Sequence, residues 1–304
     1  MNKNYKFKVD LIHANQRIDK YLGECLSQDF SRSEIKKLIL QKCVLLNKNT
    51  IKPHQKVKPT DIIEVIVQDN LSEKNILPVK IPVNIIYEDG YLLIINKPAG
   101  MVVHPAAGHF NDTLVNALLY YNKKLSDING SLKLGIVHRI DKDTSGLLVI
   151  AKDNKSHRFL ADEFKTHKVK KVYIAIVHGL VEHDQGQINA PIARSCFNRK
   201  KMSVQFSSPK EALTEYQVLK RSEGFSVVKL YPKTGRTHQI RVHMAHLGHP
   251  LIGDVIYGGK IINAQLNRTA LHAHILGFRH PESNKFVEFE ASLPQDMAQF
   301  ISNI

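Results

Sequence analysis

The chain has 304 residues, 43% of them hydrophobic, which is enough apolar material for one large core and a second, smaller one. Lys and Arg total 43 against 28 Asp and Glu, a formal charge of +15, so the expected partner is a polyanion: nucleic acid first, an anionic membrane surface second. No run of residues approaches the length of a bilayer span, and the N-terminal MNKNYKFKVD lacks the apolar core of a signal peptide, so a soluble, cytoplasmic protein is expected.

In QRIDKYLGECL, Ile18, Tyr21, Leu22 and Cys25 recur at the spacing of one helical face. FSRSEIKKLILQK follows, with Ser31 and Glu34 in capping-box spacing ahead of Ile35, Leu38 and Ile39, and predicts a second helix. CVLLN and, after a polar turn at Pro53, DIIEVIV are strand-like by their β-branched content. Residues 1–70 hold 13 Lys and Arg against 8 Asp and Glu, so this module is compact and basic. The predicted first domain spans 1–67. Residues 68–82, opening QDNLSEKN, are polar and aperiodic and read as a linker ending at Pro82; the second domain then covers 83–304.

Strands are predicted there at 92–96, 147–152, 172–179, 213–220, 225–231, 239–244, 270–278 and 286–290, and helices near 113–121, 155–166 and after Gln295. Strands outnumber helices without alternating regularly with them. The expected class is therefore α+β with a mixed, largely antiparallel sheet, not a doubly wound one.

Two polar blocks carry the chemistry. In GIVHRIDKDTSGLLVIAK (135–152), an extended HRID puts Arg139 and Asp141 on one side and His138 and Ile140 on the other. KDTSG has turn composition, with Gly146 free to take a positive φ, so Asp141 sits where the chain reverses at a sheet edge. On residue types alone Asp141 is either a reactive carboxylate or a turn residue pairing locally with Arg139. In KTGRTHQIRVHMAHLGHPLIGDVIYGG, alternation across QIRVHM puts Gln239, Arg241 and His243 on one face and Ile240, Val242 and Met244 in the core. His238, His243, His246 and His249 have no neighbouring Cys or carboxylate at metal-site spacing, and Cys25, Cys43 and Cys196 lie far apart without a CxxC. No metal and no other cofactor is expected. Residues 191–241 hold 11 Lys and Arg against 3 Asp and Glu, a surface suited to tracking phosphates.

Arg17-Ile18-Asp19-x-x-Leu22, Ser31-Arg32-Ser33, Leu38-Ile39 and Val57-Lys58-x-x-Asp61 resemble the S4 RNA-binding domain. The chain departs from that pattern at Lys42, where the family has a helix-stop glycine, and at Asn47-Lys48, where it has Asn-Gly; both imply local strain. Together, NKPAGMVVHP (96–105), GIVHRIDKDTSGLLVIAK, KKVYIAIVHG (170–179) and TGRTHQIRVHMAHLGHPLIGDVIYG (234–258) resemble the RluA family of RNA pseudouridine synthases, and HPAAG at 104–108 is most similar to the RluD branch, which acts on large-subunit ribosomal RNA.

The resemblance implies a pseudouridine synthase catalytic fold behind a small S4 (αL-type) domain, and an isomerase that works on a flipped-out uridine. Asp141 would be the nucleophile, attacking C6 of the base or C1′ of the sugar. Tyr173 would lie on the flipped uracil and assist proton removal from C5, and Arg241 would pair with Asp141. Arg139 would fill the space the base leaves, with His138, Arg236, His238 and Gln239 as further substrate contacts. The expected partner is ribosomal RNA, bound by a monomer, with neither DNA nor membrane involved. A non-catalytic assembly factor of the same fold would lack Asp141, Tyr173 or Arg241; an RNA phosphodiesterase built on the His-rich block would cut the strand.

Overall fold

The computed structural model describes residues 3–303 apart from 28–29, 31, 68–75, 107, 122–123, 129, 131–133, 196–197, 199–200, 207–209, 260–265 and the side chains at 3, 33, 34, 37 and 67. The Ser31–Glu34 capping pair, Cys196 and the start of the expected linker lie outside the described residues. The chain divides into two compact units, Met1–Asn75 and Ile76–Ile304. Among the described residues no helix is long and apolar enough to cross a membrane.

The first unit contains β1 (Lys3–Lys8), α1 (Ile18–Cys25), α2 (Arg32–Leu40), β2 (Val44–Leu46), β3 (Asn49–Thr50) and β4 (Ile62–Val67). Its antiparallel sheet runs β1-β4-β2-β3. Ile18 and Leu22 of α1 and Ile35 and Ile39 of α2 bury against Val44, Ile63 and Val65, which is why both helices keep an apolar stripe. Lys42, Asn47 and Lys48 all take left-handed conformations, at φ 61°, 50° and 66°. Chain reversal there demands φ above zero whichever residue is present, and the lysines carry that strain without a glycine. Buried Asp19 accepts two hydrogen bonds from Arg17, at 3.0 and 3.1 Å, and one from Arg32 at 3.3 Å, with Lys36 Nζ at 3.7 Å. One carboxylate thus gathers three cations at the surface.

The second unit comprises β5 (Asn84–Glu88), β6 (Leu92–Lys97), α3 (Leu114–Tyr121), β7 (Ser145–Ala151), α4 (Asn154–Lys165), β8 (Lys170–His178), β9 (Gln185–Asn189), β10 (Ile192–Arg194), β11 (Met202–Val204), β12 (Leu213–Ser222), β13 (Phe225–Pro232), α5 (Gln239–His246), β14 (Leu271–Arg279), β15 (Phe286–Glu290) and α6 (Gln295–Ser302). The main sheet runs β5-β6-β7-β14-β8-β13-β12-β9, with β15 on β14; among the described strands, β7 and β14 alone pair in parallel. β10 and β11 form a separate hairpin. The α+β, largely antiparallel expectation holds.

β7 is buried along its whole length because both its faces are covered. Leu148 and Ile150 meet Leu114 and Leu118 of α3, while Leu147 and Val149 meet Leu160 of α4. That double cover explains the uninterrupted apolar run LLVIA.

Two expectations need correction. QIRVHM is not a strand but the body of α5. Residues 239–244 are all buried, polar and apolar alike, so their alternation reports no single face. As a helix, α5 turns Gln239 and His243, one turn apart, onto the same neighbour: Gln239 Nε2 and His243 Nδ1 lie 3.0 and 2.9 Å from Thr214 Oγ1. Arg241 consequently points elsewhere. Nor is 76–82 a free linker, since Val79 N–H donates to Asn116 O at 3.1 Å and Asn116 Nδ2 to Leu77 O at 2.8 Å, fastening the segment to α3.

Candidate active site

Residues 137–144 approach β7 as extended chain and a turn, closed by Thr144 N–H on Asp141 O at 3.2 Å. Three further donors hold the turn from behind. Gly100 N–H and Lys97 Nζ reach Lys142 O at 2.9 and 3.0 Å, and Arg268 Nη1 reaches Asp143 O at 3.2 Å. Lys97 is fully buried and also donates to Pro98 O at 2.7 Å and Met101 O at 2.9 Å; burial lowers its pKa to about 7. A cation so enclosed by carbonyls locks the 97–101 loop to the Asp141 turn.

Arg139 is exposed and Ile140 buried, as extended alternation requires. Among the described residues no ion pair joins Arg139 to Asp141. The Asp141 carboxylate instead faces Arg241, whose Nη1 donates to Oδ2 at 2.9 Å, with His238 Nε2 at 3.9 Å. Arg241 sits almost wholly inside the protein, and its Nε and Nη2 donate to the two oxygens of buried Asp254, at 2.6 and 2.9 Å. Burial works against the guanidinium's charge, but the bonds and charge of Asp254, then Asp141, outweigh it and raise its pKa.

Asp141 opens on a cleft of about 630 Å³, whose walls include Arg139, Lys171, Tyr173, Arg236 and His238. Lys171 and Tyr173 are two residues apart on β8 and so share its cleft face. Burial lowers the Lys171 ammonium to about 8, and its Nζ donates to Thr234 O at 3.2 Å. Burial, reinforced by the Asp141 charge, pushes the Tyr173 hydroxyl far above its ordinary value, so it remains a protonated phenol rather than a free base.

Two expected substrate contacts also bond to the protein itself. His138 Nε2 accepts Val149 N–H at 3.1 Å, its ring stacks on Phe164 at 4.3 Å, and burial drives its pKa to about 3. Gln239 accepts from Thr234 Oγ1 and Arg236 N–H and donates to Leu213 O and Thr214 Oγ1. Both line the cleft as wall. Arg236 Nε donates to Glu211 O at 3.0 Å, and His238, at φ 56°, places Nδ1 2.7 Å from Tyr257 Oη. Sequence reasoning missed Asp254, Tyr257 and Lys171. A lone acid inside the apolar stretch HPLIGDVIYG was the signal available for Asp254, since a carboxylate buried there needs a cation.

Comparison with known proteins identifies the family of each unit. The RNA pseudouridylate synthase family matches residues 91–246, and the S4 domain matches residues 16–63. An uncharacterized RNA pseudouridine synthase of Bacillus subtilis is 44% identical over 290 residues, covering 95% of this chain and 94% of its own. The ribosomal large subunit pseudouridine synthase D of Zymomonas mobilis is 44% identical over 292 residues, covering 92% and 91%. Human RNA pseudouridylate synthase domain containing 1 superposes with a TM-score of 0.56 at 26% identity, over 73% of this chain and 94% of its own.

Proposed function

Because this chain belongs to the RluA family of RNA pseudouridine synthases, in its RluD-like branch and with an S4 domain, we propose that it converts uridines of large-subunit ribosomal RNA to pseudouridine with Asp141 as the nucleophile. The observation that carries this reading is the Asp141 carboxylate, set in a basic cleft and held by a guanidinium that Asp254 fixes from behind.

A uridine flipped into the cleft meets Asp141, which attacks C6 or C1′. The N1–C1′ bond breaks, the base turns, and a C5–C1′ bond forms. C5 gives up its proton, N1 gains one, and the carboxylate leaves unchanged. Arg241 holds the Asp141 carboxylate aimed at the base, which requires a cation that does not move during the reaction. Tyr173 offers a ring face and a protonated hydroxyl to the base. Arg139, exposed at the cleft, fills the gap in the RNA stack, Arg236 and His238 contact the nucleotide, and His138 and Gln239 shape the wall. The same reading takes the protein as a monomer in the cytoplasm, working without metal or other cofactor. The His-rich block does not suit strand cleavage, because His243 contacts Thr214 and Ala190 O and His249 contacts His178 O.

The test is tritium release from RNA labelled at uridine C5. Asp141→Asn is nearly isosteric and should bind RNA like the parent but release no tritium, whereas Asp143→Asn, exposed two residues along, should stay active. Full release by Asp141→Asn, or equal inactivation by Asp143→Asn, would sink the assignment. Pseudouridine maps of large-subunit RNA from cells with and without the protein test the substrate.

A further inference from the structure

We propose that Tyr257 is a positioning residue for the Asp141 site: it ties the β10–β11 hairpin to His238 and fixes which imidazole nitrogen faces the carboxylate. This deepens the reading above and rests on Asp141 as nucleophile.

Tyr257 touches three parts of the site at once. Its hydroxyl oxygen accepts Met202 N–H of β11 at 2.9 Å and lies 2.7 Å from His238 Nδ1. Its ring meets the His238 ring edge to face at 5.6 Å, and the Arg241 guanidinium lies over it at 5.1 Å from the centroid. The ring packs with Ile192 of β10, Met202 of β11 and Val242 of α5, so the hairpin and the helix carrying Arg241 share it.

His238 is the strained member of the group. Its left-handed conformation, at φ 56° and ψ 20°, is one that residues with a Cβ rarely adopt. In return the ring hangs between Tyr257 and Asp141, with Nε2 3.9 Å from Asp141 Oδ2. Strain of this kind persists where the surroundings over-determine it, and here Tyr257 supplies the constraint.

The hydrogen-bond inventory then sets the tautomer. The Tyr257 oxygen already accepts a backbone N–H, so its own proton goes to the nearby nitrogen, Nδ1. Nε2 therefore keeps its hydrogen and turns it toward Asp141. The carboxylate accepts a hydrogen bond from Arg241 at 2.9 Å and faces the neutral His238 N–H at 3.9 Å, outside hydrogen-bond reach. Burial holds the imidazole below its ordinary pKa; the charges of Asp141 and Asp254 pull it up, those of Arg241 and Arg139 pull it down, and the ring is neutral at pH 7. The hairpin ends in Arg194 and is flanked by Lys201 and Lys210, residues suited to RNA phosphates, so RNA seated there bears on the Met202–Tyr257–His238 chain.

Tyr257→Phe keeps the ring against Arg241 and the hairpin and removes only the hydroxyl. RNA affinity should stay within about twofold, while the single-turnover rate at pH 7.5 should fall about tenfold, the scale of one lost hydrogen bond. As the pH falls and the imidazole protonates, both its nitrogens carry a hydrogen whatever the tautomer, so the deficit should narrow to about twofold. Adding His238→Gln, whose amide carries its hydrogen at every pH, should abolish that narrowing. A wild-type rate in Tyr257→Phe, or a deficit that does not change with pH, overturns the proposal. Full tritium release by Asp141→Asn would instead remove the reading on which it rests, so the two failures are told apart by which variant stays active.

Discussion

Asp254 grips Arg241 through two hydrogen bonds, to Nε at 2.6 Å and to Nη2 at 2.9 Å, and leaves Nη1 to reach Asp141 at 2.9 Å. One guanidinium serves two carboxylates, one buried and one facing the cleft, so neither Arg241 nor Asp141 can drift without breaking a charge-assisted bond. Asp254→Asn and Arg241→Met should each lower the single-turnover rate on the order of a hundredfold while changing RNA affinity by less than about threefold. The double variant should be little worse than either single one, because both break one unit. Equal losses in binding and turnover would mark Arg241 as a phosphate contact.

Lys171 supplies a pH dependence whose sign follows from its environment. Burial lowers its pKa to about 8, so the charge is present at pH 7 and disappears as the pH rises through 8. RNA affinity should weaken by about tenfold between pH 7 and 9.5 as one charge-assisted contact is lost. Lys171→Arg, charged throughout, should flatten that decline in a binding titration. A decline of the same size in the Arg variant would place the titrating group elsewhere.

Gly146 takes φ 115° at the start of β7, and a Cβ there would run into the backbone of Ala273 on the parallel neighbour β14. Gly146→Ala should destabilise the second unit by about 3 kcal/mol and, because the Asp141 turn enters β7 at this point, slow turnover as well. Gly224, at φ 85° with open space around it, is the comparison, and its Ala variant should cost only about 1 kcal/mol. Thermal melts of both variants check the difference; equal melting points would show that the β7–β14 contact yields easily.

The second unit holds its own hydrophobic clusters, and residues 76–82 are fastened to α3 within it. A chain beginning at Ile76 should therefore fold and retain turnover on a short stem-loop. It should bind long RNA more weakly, with a shallower salt dependence, because the Arg17, Arg32 and Lys36 cluster is gone. Loss of turnover on every substrate from a folded fragment would show that the S4 unit does more than add affinity.

The sequence by itself determined what repeats at short range or in fixed order. Helical spacing marked α1 and α2, the apolar run LLVIA marked β7, alternation put Arg139 and Asp141 on the open side of the chain, and ordered blocks identified the family. It misread QIRVHM, where burial on every side erased the pattern that distinguishes strand from helix. Only the tertiary structure decided which partners meet: Arg241 lies 100 residues from Asp141, and Asp254 and Tyr257 reach it from the turn after α5. Periodicity records a residue's exposure to its own core, and it holds no record of a charge brought alongside by the order of strands in a sheet.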